Sequence, residues 1–298
     1  MGPLYVLAAV LLWSFVPLML KQLLGVFSPY FIGMMRLLLA GIFIGVMQSF
    51  EGQAPLTIRP RLGAGKRWAW LLAAGAGISG NYVLYVAGLR HTTASAANIL
   101  IQIEVIGLAV LGVVVLKETI RGLKLAGTLS ALIGVLLVAW NGERPSAIFH
   151  SPQFLGSVVL MIAGLSWSLY GLGQKILLRD YSPAQSLLGI LFIGALLAAL
   201  PAFAGRPITG APTALQWAYL FVLGVISTGA SYLLLARGMA LAEASSVAVL
   251  TSTLPLMTMV EAHFILREPF TPYLLLGAVF TVAGIVLIVL SPAPARQQ

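Results

Sequence analysis

The sequence predicts an all-α integral membrane protein of ten transmembrane helices, arranged as two inverted five-helix repeats, and three observations support this. Of its 298 residues 60% are hydrophobic and 8% are charged, whereas about 25% charged is usual in a soluble domain. Apolar blocks about 20 residues long, enough to cross a bilayer as a helix, recur along the whole chain. The two halves of the chain also share motifs in the same order. A soluble globular domain is therefore excluded.

Ten apolar blocks reach the length of a span. They run over residues 4–23, 30–50, 68–89, 94–116, 121–140, 154–174, 184–204, 215–236, 244–266 and 271–291. The longest loop between them, 51–67, is too short for a catalytic domain outside the membrane. Any function must therefore be built among the helices or at their ends.

The distribution of Lys and Arg predicts the orientation. One side of the membrane carries Arg59, Arg61, Lys66, Arg67, Lys117, Arg121, Lys124, Lys175, Arg179, Arg237 and Arg296. The other side carries Lys21, Arg90, Arg144, Arg206 and Arg267. Since the richer side is usually cytoplasmic and the number of spans is even, we expect both termini in the cytoplasm. Arg36 lies inside the second span, and we expect its side chain to reach towards the membrane surface.

An internal repeat organises the chain. A shift of 154 residues superimposes the first group of matches, namely Ala9, Leu11, Trp13, Ser14, Leu18, Lys21, Leu23, Leu24, Ser28 and Pro29, on identical residues. After the second span the shift is 150, and it aligns Tyr82, Gly88, Ala94, Ser95, Glu118, Gly127 and Gly134 with their counterparts. We expect a first repeat over 1–140, a connecting loop over 141–153, a second repeat over 154–291 and a tail over 292–298.

Five spans in each half place the halves in opposite orientations across the bilayer. Inverted repeats with a binding site at their interface are typical of secondary transporters, because exchanging the conformations of the halves opens the site to each side in turn.

The residues shared by the halves carry a resemblance to a known family. They are the pairs Trp13-Ser14 and Trp167-Ser168, the Ser-Pro starts of spans 2 and 7, the Ala-Ser starts of spans 4 and 9, Lys117-Glu118 and Arg267-Glu268. With these motifs the chain resembles the drug/metabolite transporter superfamily, in its ten-helix branch with two EamA-type repeats. Members of this family often have a Glu-Pro pair midway along spans 4 and 9. In this chain span 4 keeps only the glutamate, in Glu104-Val105, and span 9 keeps only the proline, in Leu254-Pro255. The resemblance implies a metabolite transporter of the bacterial inner membrane, similar to bacterial exporters of aromatic and neutral amino acids.

Polar and aromatic residues within the spans are the candidate substrate-binding residues. On span 4 the spacing of Ser95, Asn98 and Gln102 places them on one helix face, whose amides could bind a zwitterion without burying a fixed charge. Hydrogen bonds between helices are the alternative role for these residues, as packing is for the aromatic ones. The predicted set is Trp13, Asn81, Tyr82, Asn98, Gln102, Trp167, Tyr170, Ser231, Tyr232 and Ser252.

Three ionisable residues are candidates for proton coupling. Glu104 lies near the middle of span 4, where a charge costs about 2.5–3.5 kcal/mol, but on an ideal helix it points about 200° away from Gln102. Glu261 and His263 lie near the end of span 9. Each of the three could instead have a purely structural role.

The sequence therefore predicts a secondary transporter, not an enzyme, that exports small neutral or zwitterionic metabolites, with amino acids including aromatic ones as the first choice. Proton-coupled efflux of other small solutes and an intramembrane lipid-modifying enzyme are the alternatives. An enzyme would need clustered acid, base and nucleophile groups, whereas His91, His150 and His263 are far apart in the sequence. We expect a small-molecule substrate and the lipid bilayer as partners, no nucleic acid, no cofactor and no metal. A monomer is favoured, and a dimer is the alternative.

Overall fold

A computed structural model describes residues 1–50, 63–117, 120–144, 150–242 and 244–291. Within these ranges the chain forms helices and no β-strand. The helices are Gly2–Ser14, Val16–Leu23, Pro29–Phe50, Ala64–Leu89, Ala94–Leu100, Ile103–Leu116, Leu123–Trp140, Pro152–Leu177, Pro183–Ala204, Ala214–Phe221, the π-helix Val222–Ala230, Ser231–Leu241, Ala244–Ser252, Leu254–Leu266 and Pro272–Val289. Arg59, Arg61, Glu118 and Arg296, and the side chains of Ala244 and Ser245, lie outside the described part of the chain.

In the described part, these helices join into ten segments that are long and apolar enough to cross a bilayer. Spans 1 to 10 are Gly2–Leu23, Pro29–Phe50, Ala64–Leu89, Ala94–Val115, Leu123–Trp140, Pro152–Leu177, Pro183–Ala204, Ala214–Leu241, Val249–Leu266 and Pro272–Val289. The prediction of ten spans is thus confirmed, and most bounds agree within four residues. Span 8 continues to Leu241, five residues past the prediction, because the helix extends through Arg237.

Helix starts follow from short polar motifs. Ser182 and Thr213 each accept a hydrogen bond from the backbone N–H three residues ahead, and the side-chain oxygens of Gln185 and Gln216 accept one from the backbone N–H of the cap residue. This reciprocal capping supplies partners for backbone groups that a helix end would otherwise leave without one. The apolar segments that follow can then enter the bilayer with their backbone groups paired.

Three spans contain an interruption of the helix. Pro17 and Pro255 lack the N–H that an unbroken helix needs, so spans 1 and 9 break at Phe15 and Thr253. Span 4 breaks between Leu100 and Ile103 without a proline. There the N–H of Gln102 donates to the carbonyl three residues back, at 3.1 Å, which is the tighter pitch of a 3₁₀ turn.

Glycines allow the two halves to pack closely at matching places. A Cβ on Gly127 or Gly284 would lie within 2.5 Å of the other residue's carbonyl oxygen, and one on Gly134 or Gly277 within 2.8 Å. Spans 5 and 10, which carry these residues, therefore cross with their backbones nearly touching. This reciprocity is what a two-fold relation between the halves requires.

A second pair of contacts repeats the same relation. A Cβ on Gly88 of span 3 would lie 2.9 Å from the carbonyl of Gly156 on span 6, and one on Gly238 of span 8 would lie 3.2 Å from that of Gly2 on span 1. The repeat shifts of 150 and 154 carry the first pair onto the second. Span 3 therefore packs on span 6 as span 8 packs on span 1.

Spans 4 and 9 meet at one end and separate at the other. The segment Ala94–Leu100 of span 4 packs against Leu254–Leu266 of span 9. Beyond the break, Ile103–Leu116 packs on spans 5 and 6, whereas Ala244–Ser252 packs on spans 1 and 10. A space is left where the two spans part.

Candidate functional site

A cavity of about 360 Å³ occupies this space between the halves. Both repeats line it, through spans 1, 2, 3, 4, 6, 8, 9 and 10. The residues around it include Trp13, Arg36, Asn81, Tyr82, Tyr85, Asn98, Gln102, Glu104, Trp167, Tyr232, Thr251 and Ser252. Eight of the ten predicted substrate-binding residues thus line one cavity.

Asn81 and Asn98 connect the cavity wall to neighbouring helices. The Asn81 Nδ2 donates to the Ala163 carbonyl of span 6 at 2.9 Å. The Tyr85 hydroxyl donates to the Asn98 Oδ1 at 2.8 Å, and the Asn98 Nδ2 donates to the Thr258 hydroxyl of span 9 at 2.5 Å. Both asparagines therefore also hold helices together, which was the alternative role considered for them.

The predicted direction of Glu104 is wrong. On an ideal helix it would point away from Gln102, yet the two residues line the same cavity. The reason is the break in span 4, which changes the rotation of every residue after Leu100 relative to those before it. The span therefore turns Asn98, Gln102 and Glu104 towards one space.

The expectation that Arg36 reaches the membrane surface is also wrong. Its side chain is 6% exposed and lines the cavity. The guanidinium carbon lies 4.3 Å from the centre of the Tyr82 ring, and Nη2 donates to the Thr228 hydroxyl at 3.4 Å. The Nε atom is buried without a hydrogen-bond partner. An arginine within a span is in itself a signal for a functional site, and this signal could have identified it.

Aromatic rings from both halves form one wall of the cavity. Trp13 meets Tyr232 edge to face with 5.8 Å between ring centres, and Trp167 lies parallel to Tyr232 at 6.3 Å. Tyr170 does not line the cavity. It packs against Trp167, with 4.7 Å between the ring centres. Tyr170 therefore supports the wall.

Ser231, Glu261 and His263 also lie away from the cavity lining. The Ser231 hydroxyl donates within its own helix to the Ser227 carbonyl at 2.7 Å. The Glu261 Oε1 accepts a hydrogen bond from Ser14 at 2.7 Å, and the His263 Nδ1 lies 2.9 Å from the Glu268 carbonyl. Of the three residues predicted for proton coupling, only Glu104 lines the cavity.

The charges in the cavity are not paired with each other. Among the residues that the structure describes, neither the Arg36 guanidinium nor the Glu104 carboxyl has an oppositely charged partner within salt-bridge distance. A buried charge without a partner costs several kcal/mol unless water or a ligand compensates it. The site can therefore offer one cationic and one acidic group to a small molecule.

Glu268 closes the end of the bundle where spans 4 and 9 meet. Its carboxylate accepts hydrogen bonds from the backbone N–H groups of Ala94 and Ser95, at 2.7 and 3.0 Å, and from the Ser95 hydroxyl at 2.7 Å. Lys21 lies nearby and donates to the Thr92 carbonyl at 2.5 Å. A carboxylate at a helix N-terminus is also favoured by the helix dipole. Ser95, expected on the amide face of span 4, is engaged in this contact.

Ten spans in two repeats around a central polar cavity define the class of membrane transporters. The chain belongs to the EamA-like transporter family, whose model matches residues 1–140 and again 154–290. It is 29% identical over 260 residues to the uncharacterized inner membrane transporter YhbE of Escherichia coli K12, covering 87% of this chain and 79% of that protein.

An uncharacterized transporter of Haemophilus influenzae is 26% identical over 266 residues, covering 88% of this chain and 83% of that protein. A solved crystal structure with 18% identity superimposes with a TM-score of 0.68, covering 96% of this chain and 95% of the other. This likeness shows the fold. The two-repeat, ten-span architecture predicted from the sequence is thus confirmed.

Proposed function

We propose that this transporter exports small zwitterionic metabolites, amino acids including aromatic ones, by alternating access. The observation that carries the proposal is the cavity between the two repeats, because it combines amides, aromatic rings, one guanidinium and one carboxyl group. Amides and charges can bind an ammonium and a carboxylate. Tyrosine and tryptophan rings can pack against an apolar or aromatic side chain.

The size of the cavity supports a single small solute. Its volume of about 360 Å³ lies near the lower end of the roughly 300–1,000 Å³ typical of small-molecule pockets. A lipid or a nucleotide sugar would need more room, and a phosphate group would be expected to meet more than one cationic side chain.

The predicted orientation indicates from which side of the membrane the cavity is reached in this conformation. If the side rich in Lys and Arg is cytoplasmic, the end closed by Glu268 faces away from the cytoplasm, in the bacterial inner membrane. The cavity, which lies beyond the point where spans 4 and 9 part, would then receive its substrate from the cytoplasmic side.

Proton antiport is a second candidate property, and the position of Glu104 favours it. A carboxyl in the substrate cavity can bind either a proton or a substrate ammonium, so that the two ligands compete for one group. Such competition couples their movements in opposite directions when the protein changes conformation only with one of the two ligands bound.

Counterflow in proteoliposomes tests the proposed function. Vesicles loaded with an unlabelled amino acid should accumulate the labelled one, with aromatic and large neutral amino acids the strongest substrates. Lysine, glutamate and a sugar phosphate serve as comparisons. A panel in which no amino acid exchanges, while another metabolite does, would contradict the proposal.

A further inference from the structure

We infer that Arg36 and Glu104 form the two poles of the substrate site, with Arg36 binding the substrate's carboxylate and Glu104 its ammonium group. This inference rests on the proposed function and narrows it. The ligand class becomes molecules that carry both a free α-carboxylate and a free α-ammonium. Molecules with only one of the two charges are discriminated against.

The surroundings of Arg36 hold its guanidinium in a fixed position and leave part of it unused. The Tyr82 ring covers one face of the guanidinium, and the Thr228 hydroxyl accepts a bond from Nη2, while Nε has no partner. The planar guanidinium can bind a carboxylate with two parallel hydrogen bonds. A buried arginine that already has a fixed position and still has an unbonded N–H is therefore prepared for an anion.

The π-helix in span 8 explains why Thr228 can serve Arg36. The Thr228 hydroxyl donates its own hydrogen to the Leu223 carbonyl, five residues back, at 2.7 Å. This leaves a lone pair of the hydroxyl oxygen to accept from Arg36. Local π-helical turns occur frequently at functional sites, and here the turn orients a neighbour of the predicted carboxylate site.

Glu104 supplies the opposite pole from another helix. It follows the break in span 4, whereas Arg36 is on span 2, and no salt bridge joins the two in the described part of the chain. A direct ion pair would compensate both charges without a ligand. Because the two groups remain separate in one cavity, a zwitterion can compensate both at once.

Single-charge ligands would leave one pole uncompensated. An amino acid ester has no carboxylate for Arg36, and a deaminated acid has no ammonium for Glu104. Sites that hydrogen bond a polar group reject analogues that lack it, because the site's own buried groups then stay unpaired. A hydrogen bond to a charged group corresponds to roughly 10- to 150-fold in affinity. We expect this preference for the amino acid over each analogue.

The test uses three related ligands: phenylalanine, its methyl ester and 3-phenylpropionate. Competition against labelled phenylalanine in counterflow gives the apparent affinity of each. Arg36→Gln should abolish the preference for phenylalanine over the ester and keep the preference over phenylpropionate. Glu104→Gln should do the reverse. Arg90→Gln and Glu143→Gln, which alter charges outside the cavity, should leave both preferences unchanged.

Two further measurements distinguish a loss of substrate binding from misfolding of the variant proteins. Arg36→Lys keeps the charge but loses the planar guanidinium, and it should retain part of the preference over the ester. Ligand-induced thermal stabilisation in detergent measures binding without requiring transport. Equal losses of affinity for all three ligands in Arg36→Gln and Glu104→Gln, or unchanged preferences in both, would overturn the assignment. If the parent protein neither binds nor exchanges any amino acid, the proposed function itself has failed.

Discussion

The two halves of this transporter share a scaffold and differ in their polar chemistry. Trp13 and Trp167 correspond through the repeat, as do Tyr82 and Tyr232, and all four line the cavity. At the positions that correspond to Arg36 and Glu104, however, the second half has Ile190 and Leu254. Each half thus supplies one of these tryptophans and one of these tyrosines to the cavity, whereas both charges belong to the first half.

The amides show the same difference. Asn98 and Gln102 of span 4 correspond to Ala248 and Ser252 of span 9. Close helix packing needs glycines on both halves, so the scaffold keeps them in matching places. A zwitterion in a site whose charges and amides all lie on one half has a single preferred orientation, and the second half, which lines the cavity with hydroxyl groups and rings, can then specialise in packing contact and conformational change.

The largest effect should follow from disturbing the shared scaffold. In Gly134→Val, side-chain atoms would overlap the span 10 backbone, since even a Cβ would lie 2.5 Å from the Gly277 carbonyl oxygen. Overpacking in a close interface costs roughly 1–3 kcal/mol or more. We expect a sharp fall in the melting temperature in detergent and loss of the monodisperse peak in size-exclusion chromatography.

Gly65→Val is the matched control, because a Cβ there would meet nothing within 4 Å. It should behave like the parent protein. If both variants were equally stable, the close packing of spans 5 and 10 would not be essential to the fold.

The next largest effect is expected at Glu104, the acidic residue that the first half places in the cavity. Glu104→Gln keeps the shape of the side chain but removes its titration, so we expect transport driven by a pH gradient to disappear while substrate exchange continues with reduced affinity. Initial rates with and without an imposed pH gradient give this comparison. Glu261→Gln, outside the cavity, should keep both activities.

If Glu104→Gln retained pH-driven transport, the carboxyl would not carry the proton. If the parent protein showed no response to the pH gradient, the protein would be a facilitator that lets substrate run down its own gradient.

A smaller effect is expected at the closed end of the bundle. Glu268→Ala removes the three hydrogen bonds to Ala94 and Ser95, which hold spans 4 and 9 together. Loss of a contact worth about 1–3 kcal/mol shifts a two-state population about 5- to 150-fold. The closed end should therefore open more often.

This opening can be measured with a single cysteine, because the chain has none of its own. Ser252→Cys places a thiol in the cavity wall, and an impermeant maleimide is applied from the side on which Glu268 lies. Labelling should be faster in the Glu268→Ala background than in the parent or the Glu143→Ala background. Equal rates would show that the Glu268 contact does not control access.

These comparisons show which features the sequence could predict. The spans follow from length and apolar composition. The aromatic lining of the cavity follows from Trp13, Trp167, Tyr82 and Tyr232, which the repeat places in matching positions. The direction of Glu104 depends on the break in span 4, where span 4 has no proline of its own; the signal for it is the repeat, which aligns Val105 with Pro255 beside the break in span 9. A helical face also does not show which neighbour will cover it: the shared face of Trp167 and Tyr170 predicts both in the cavity, whereas only Trp167 of the two lines it and Tyr170 packs against Trp167.

The smallest expected effect is the difference in substrate affinity between variants of Asn81 and Ser231. These two residues correspond through the repeat, and the sequence predicts that both bind substrate. Asn81 lines the cavity and donates to the Ala163 carbonyl of span 6, whereas the Ser231 hydroxyl donates only within its own span to the Ser227 and Thr228 carbonyls. Asn81→Ala should weaken substrate binding by roughly 5-fold or more, because a buried acceptor loses its partner and the cavity loses an amide. Ser231→Ala should change the apparent affinity by less than about 2-fold, since removing a hydrogen bond of the hydroxyl to its own helix leaves those carbonyls in their helical positions.

Apparent affinities from counterflow, measured at equal amounts of reconstituted protein, give the loss of affinity in each variant relative to the parent protein. A loss in Ser231→Ala equal to that in Asn81→Ala would mean that Ser231 contributes to substrate binding as much as Asn81 does, and the difference between the halves would then be smaller than their sequences suggest.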